Sequence, residues 1–215
     1  MKPYPNYKDS GQSSLDPIPE HWQVLRNKYV LRAVEERSAT GNETLLSLTR
    51  AHGLIPQSEH TDKQGSADSL VGYRLCSPNQ IVMNRMQAWS GMFAEAKMTG
   101  LVSPDYTIFA PVGNANVSYL CSLYKTPRMV DEFFQRSKGI GTGFFRLYTP
   151  DFADVSVALP PAAEQTAIVA YLDRKTADIE RFITKKRQLI ALLNEQKAAI
   201  ITRAVTKGLT PDVPM

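Results

Sequence analysis

Between Pro161 and Gly208 the chain holds neither proline nor glycine. Those two residues are the strongest helix breakers, and the segment between them is rich in Ala, Leu, Ile, Lys, Arg, Glu and Gln, which form helices readily. One uninterrupted helix is therefore predicted, about 70 Å long at 1.5 Å per residue. Along it Val169, Leu172, Thr176, Ile179, Ile183, Lys186, Ile190, Leu193, Lys197 and Ile200 recur every three or four residues. This is a heptad-like seam with three polar interruptions. A domain of about 160 residues has a radius of gyration of only about 15 Å, too small to cover such a helix along its length. The stripe is expected to meet another helix. The alternative is a shorter helix, broken near Arg174 to Asp178 and folded back on the domain.

Charge follows the same division. Residues 162–208 carry nine Lys/Arg and five Asp/Glu, a net +4, while the other sixteen basic and sixteen acidic residues cancel. A basic helix can attract nucleic acid, although a solvated helix face is the commoner meaning of such a pattern. Hydrophobic residues make up 43% of the chain, enough for a core. No run of 18 apolar residues is present, so no membrane-spanning segment is expected. The N-terminus lacks the apolar stretch of a signal peptide. Cys76 and Cys121 stand far apart and read as reduced thiols of a cytoplasmic protein.

The organisation expected is an irregular lead-in over 1–20, a mixed α+β domain over 21–159, the long helix over 160–208 and a tail over 209–215. "LLSLT" (45–49), "QIVMN" (80–84) and "DYTIFAP" (105–111) read as strands, and "VSVALP" (155–160) as a last strand. "NVSYLCSLYK" and "TPRMVDEFFQRSK" read as consecutive helices. In the second, Thr126 stands as the cap, Pro127 at the first helical position, and Met129, Val130, Phe133 and Phe134 as the apolar face.

No catalytic constellation emerges. The glycines of "KGIGTGFF" (138–145) follow a helix rather than a strand and lack the Gly-Lys-Ser/Thr ending of a phosphate loop. They suit a loop needing positive φ, or one touching a nucleic-acid backbone, since Arg136, Lys138 and Arg146 surround it. "SPDY" (103–106) lacks the second proline of an amino-methyltransferase motif. His21, His52 and His60 have no metal-ligand spacing. No nucleophile elbow or nuclease cluster is present, and no cofactor site is expected in this chain.

"LPPAAEQTAIVAYLDRKTADIERFI" followed by "LIALLNEQKAAIITRAVTKG" resembles the repeat of type I restriction-modification specificity subunits. "YPNYKDSG…IPEHWQV" is similar to the start of such subunits, and "IVMNRMQAWSGMF", "GLVSPDYTIF" and "RSKGIGTGFFRLYTPDF" to one class of their target-recognition domains. The resemblance covers nearly the whole chain. It implies a non-catalytic subunit that reads double-stranded DNA for methyltransferase (modification) subunits, which use S-adenosylmethionine. For restriction it implies a restriction/translocase subunit supplied with ATP and Mg. The usual subunit has two recognition domains and two long helices packed antiparallel. This sequence has one of each, so a half-length form acting as a homodimer through an antiparallel coiled coil is expected.

Candidate base-reading residues are Asn84, Arg85 and Gln87, which follow a predicted strand. Asn and Gln can pair bidentately with adenine, and Arg with guanine. Lys138, Thr142 and Arg146 suit phosphate contacts. For Trp89 and Met86 core packing is the ordinary meaning, and for Arg85 a surface salt bridge. The dimerisation residues expected are Leu172, Ile179, Ile183, Ile190, Leu193 and Ile200. A coiled-coil adaptor that does not touch DNA is the rival reading.

Overall fold

The computed structural model describes residues 4–60, 69–139 and 144–209. The chain divides into two units, Met1–Val169 and Ala170–Met215. The first is mixed α+β. Its centre is an antiparallel sheet whose strands run Leu31–Val34, Tyr106–Pro111, Gln80–Asn84 and Phe93–Ala96 in spatial order. Side chains alternate across a strand, and here both faces are apolar. Ile81, Met83, Phe93 and Phe109 face the larger core, while Val82 and Ile108 join Leu46, Cys76, Ala96 and Val102 on the other side. The sheet is thus covered on both faces, which explains why "QIVMN" reads as a continuous apolar run.

The larger core is aromatic. Phe93, Tyr124, Phe133 and Phe152 form a cluster with ring centroids 5.0–5.9 Å apart. Truncating a buried ring of this kind costs about 3–5 kcal/mol. Tyr124 is fully buried, and its hydroxyl donates to Asn27 Oδ1 at 2.6 Å, while Asn27 Nδ2 donates to the Phe152 carbonyl at 3.0 Å. Burial holds the Tyr124 phenol well above its usual pKa.

The helices Val117–Leu123 and Pro127–Arg136 lie where the sequence places them. Asn116 caps the first by accepting from Tyr119 N at 3.0 Å. Thr126 differs from expectation: it occupies the cap position, but its hydroxyl donates back to the Leu123 carbonyl at 2.8 Å instead of bonding the helix. Met129 and Phe133 are buried, whereas Phe134 is exposed. The lead-in is also more ordered than expected. Tyr7–Lys8 pairs with Ile18–Pro19, and Leu15 and Ile18 enter the core. The strand Ser156–Leu159 pairs antiparallel with Gln23–Arg26, returning the end of the domain to its beginning.

The long helix is Ala162–Lys207, unbroken through Arg174 to Asp178. Its first two turns belong to the globular unit. Gln165 is fully buried: Oε1 accepts from Asn116 N at 2.7 Å, and Nε2 donates to the carbonyls of Pro160 at 2.8 Å and Asn114 at 3.2 Å. One residue earlier, the Glu164 carboxylate accepts from Tyr4 Oη at 3.0 Å and Trp22 Nε1 at 2.9 Å, and meets His21 Nε2 at 2.7 Å. Ile168 and Val169 pack on the core. Among the described residues, no helix is long and apolar enough to cross a membrane.

Candidate nucleic-acid interface

The strand Gln80–Asn84 ends in a turn built by its last residue. Asn84 Oδ1 accepts from Met86 N at 3.1 Å, Nδ2 donates to Gln87 Oε1 at 3.2 Å, and Gln87 N donates to the Asn84 carbonyl at 3.0 Å. Asn84 is 9% exposed, so its amide is engaged inside the turn, while Gln87 beside it is exposed. A 3-10 turn, Ala88–Ser90, follows and closes on Gly91 at φ +80°; a Cβ there would lie 3.1 Å from Val130 Cγ2. Both the backbone sign and the space favour glycine. This turn holds Trp89 half-buried, its indole donating to the Met86 carbonyl at 2.9 Å. The ring packs with Phe134 and Phe145, whose centroids lie 6.0 Å away, in a surface cluster rather than the deep core.

Arg85 is held by the neighbouring strand. Tyr106 stands opposite Asn84 in the sheet register, which brings Asp105 beside Arg85. Arg85 Nε donates to the Asp105 carbonyl at 2.7 Å, and Nη2 lies 3.3 Å from Asp105 Oδ1. The same carboxylate oxygen takes Arg146 Nη2 at 2.7 Å. Leu147 N also donates to the Arg85 carbonyl at 3.0 Å, tying the segment after Arg146 to the turn. Burial, then the like charge of Arg146, lowers the Arg85 pKa, and Asp105 acts in the opposite sense. The Nε of Arg146 is buried without a hydrogen-bond partner among the described residues.

Lys138 is reached through the hairpin. Lys138–Gly139 pairs with Phe145–Arg146, with Lys138 directly opposite Arg146. Its ammonium lies 3.1 Å from Asp151 Oδ2. The ammonium of Lys138 and the guanidinium of Arg146 sit 5.6 and 5.9 Å from the Tyr148 ring centroid. Thr142 falls outside the described residues, as do Ile140, Gly141 and Gly143.

Five of the six candidate DNA contacts therefore belong to one connected region. It places two arginines sharing one carboxylate oxygen, a lysine and the rings of Tyr148, Phe145 and Trp89 together. Exposed Phe144 and Tyr148 offer faces on which planar groups can stack. The arginines keep donors that a phosphate or a guanine edge could take. The salt-bridge reading of Arg85 is realised in this state. Sequence reasoning missed Asp105, Asp151 and Tyr148; Asp105 stands 20 residues from Arg85 and 41 from Arg146, with no local pattern to link them. Among the described residues, no group of His, Cys, Asp or Glu could hold a metal ion.

On the long helix the candidate dimerisation residues Leu172, Ile179, Ile183, Ile190, Leu193 and Ile200 are all exposed. Phe182, Leu189, Leu192, Ile201 and Val205 are exposed as well and were not foreseen. From Ala170 to Leu209 no residue is buried.

No protein-family model matches the chain, and no curated protein is similar to it in sequence. Solved structures do share its fold. One, from work on complex assembly and conformational transition of the type I R-M system, is 17% identical and aligns over 89% of this chain and 47% of its own, with a TM-score of 0.63. The HsdS subunit from Thermoanaerobacter tengcongensis is 16% identical and aligns over 94% of this chain and 48% of its own, with a TM-score of 0.55. The chain spans about half the length of these solved chains. What the likeness establishes is the fold: a mixed α+β unit followed by a long helix, shared with structures from type I restriction-modification work.

Proposed function

We propose that this chain is a DNA sequence-recognition unit of a type I restriction-modification system. It carries no catalytic group of its own. The α+β domain reads one half of a bipartite target, and the long helix pairs with another helix of its kind to fix the distance between two reading domains. Adenine-methylating partner subunits, holding S-adenosylmethionine, act where this unit places them.

The observation that carries this reading is the fold match over nearly the whole chain to an HsdS subunit. The motifs quoted from the sequence and the arginine-aromatic surface around Asp105 support it independently. Two copies of one domain read the same half-site. A closed dimer has two-fold symmetry, and an antiparallel helix pair sets its reading domains at opposite ends. Symmetry of the site mirrors symmetry of the protein.

Methylome sequencing of cells with and without the gene tests this directly. The expected motif is a gapped palindrome with one methylated adenine in each half, the halves about one helical turn, or roughly 34–36 Å, apart. An asymmetric bipartite motif would mean that the chain pairs with a different recognition domain. A short contiguous motif would overturn the spacing role. No change in methylation, together with no salt-dependent duplex binding, would favour the coiled-coil adaptor instead.

A further inference from the structure

The turn that carries Arg85 and Gln87 is gripped at its far end by a hairpin. Leu46–Thr49 pairs antiparallel with Gly53–Pro56, and Arg50 stands in the connection between them. Thr49 closes that connection: its hydroxyl donates to the Gly53 carbonyl and accepts from His52 N, both at 3.1 Å. Arg50 reaches out of it to a single residue. Nη1 donates to the Ser90 carbonyl at 3.1 Å, and Nη2 to Ser90 Oγ at 2.9 Å. Ser90 Oγ in turn donates to the Gln87 carbonyl at 2.8 Å. A guanidinium has five N–H donors, so the fork onto Ser90 fixes its place and leaves the other donors to spare.

Beside Arg50 opens a cavity of about 310 Å³. Arg50, Ser90 and Lys125 line its polar side, and Met92, Pro127 and Val130 its apolar side. Gly91 brings Lys125 close to this turn: a Cβ at Gly91 would lie 3.7 Å from Lys125 Cα. No Asp or Glu lines the cavity. The cations around the Arg85 end of the turn differ, because Asp105 takes Arg85 and Arg146, and Asp151 takes Lys138. Two like charges at one opening without a counter-charge on its walls make a positive potential that an anion relieves. The apolar side narrows the choice. A bare ion would leave it uncovered, whereas a sugar-phosphate unit brings both an anionic end and a ring to lay against it. The volume lies at the low end of the range of about 300–1,000 Å³ for small-ligand sites, which suits one such unit.

We propose that this cavity is a phosphate site for the DNA backbone, in which Arg50 and Lys125 together hold one phosphate and its sugar lies against Met92, Pro127 and Val130. Through Ser90 the same arginine is tied to the backbone of Gln87, so the anchor sets the duplex in register with the reading turn. The inference rests on the DNA-reading role proposed above and adds to it a contact separate from the Lys138 hairpin.

Anisotropy of a labelled mixed-sequence duplex, titrated with the full chain across a salt series, tests it. Arg50→Ala and Lys125→Ala should each weaken binding several-fold. Because the two cations share one phosphate, the double variant should flatten the salt slope by about one unit rather than two. Arg50→Lys keeps the charge and should restore most of the affinity, which a purely structural role of the fork onto Ser90 would not allow. Relative affinities over a panel of duplexes should stay the same, since a phosphate contact carries no base identity. Circular dichroism checks each fold, and Lys125→Gln gives the same readout should Arg50→Ala disturb the turn. A double variant with the affinity and slope of the parent would overturn the site. A slope lowered by about two units would mean two separate phosphates and overturn the shared cavity. A parent chain that binds no duplex would overturn the DNA-reading role and this anchor with it, whereas failure of the anchor alone leaves parent binding intact.

Discussion

Arg146 Nη2 lies 2.7 Å from Asp105 Oδ1, and that single oxygen is also within 3.3 Å of Arg85. The carboxylate stands between two cations that otherwise repel. Under the proposed DNA-reading role, it holds the place of an anionic ligand.

Removing that charge should expose the pair. Asp105→Asn should raise affinity for duplex DNA of any sequence and steepen the dependence on salt by about one unit of slope, because one more phosphate can be neutralised. Asp105 is well exposed, so the loss of its ion pairs should cost the fold no more than about 1 kcal/mol. Fluorescence anisotropy across a salt series measures the first effect and thermal unfolding the second. A fall in affinity instead would mean that Asp105 sets the working positions of the arginines.

Two neighbouring cations should separate by role. Arg85→Ala removes a side chain able to recognise a guanine edge and should relax sequence preference, at about 1–3 kcal/mol for the base it reads. Lys138 is more exposed and paired to Asp151. Lys138→Ala should weaken binding to all sequences alike and flatten the salt slope by about one unit. Competition binding on a panel of duplexes tells the two apart. Unchanged affinity and specificity in both variants would remove this surface from the interface.

The anchor at the start of the long helix should respond to acid. Burial tends to raise the pKa of Glu164, but hydrogen bonds from His21, Trp22 and Tyr4 outweigh it, and the net shift is downward. A carboxylate with a depressed folded pKa stabilises the fold above its unfolded value and loses that contribution as pH falls through the folded one. Glu164→Gln should therefore cost about 1 kcal/mol near neutrality. The gap from the parent chain should close as pH drops below the ordinary carboxylate range. Denaturant titrations at neutral pH and at about pH 4 provide the comparison; a gap that stays constant would place the stabilisation elsewhere.

Much of this architecture is visible in the residues themselves, because it is encoded locally. The long helix shows itself by the missing breakers and the apolar stripe. Pro127 marks a helix start by its own chemistry, and Gln80–Asn84 shows as a strand. Strands such as Phe93–Ala96 and Leu31–Val34 do not show, because a four-residue segment like "FAEA" has little strand propensity and is ordered by its neighbours in the sheet. The interface divides in the same way. Arg85, Lys138 and Arg146 are noticeable as cations beside a turn and a glycine loop. That Asp105 joins two of them depends on sheet register, which no short window contains.

The buried Gln165 sets the point at which this protein can be cut and rejoined. Its three hydrogen bonds make the first two turns of the long helix a structural part of the preceding domain. A chimera that exchanges helices at Ala162 would strip the domain of Glu164, Gln165, Ile168 and Val169, leaving orphaned backbone groups at Asn116 and Pro160. One that exchanges them at Ala170 would hand over the rest of the helix alone. Gene shuffling that gives such a domain a new arm, or such an arm a new domain, thus has its natural crossover just after Val169.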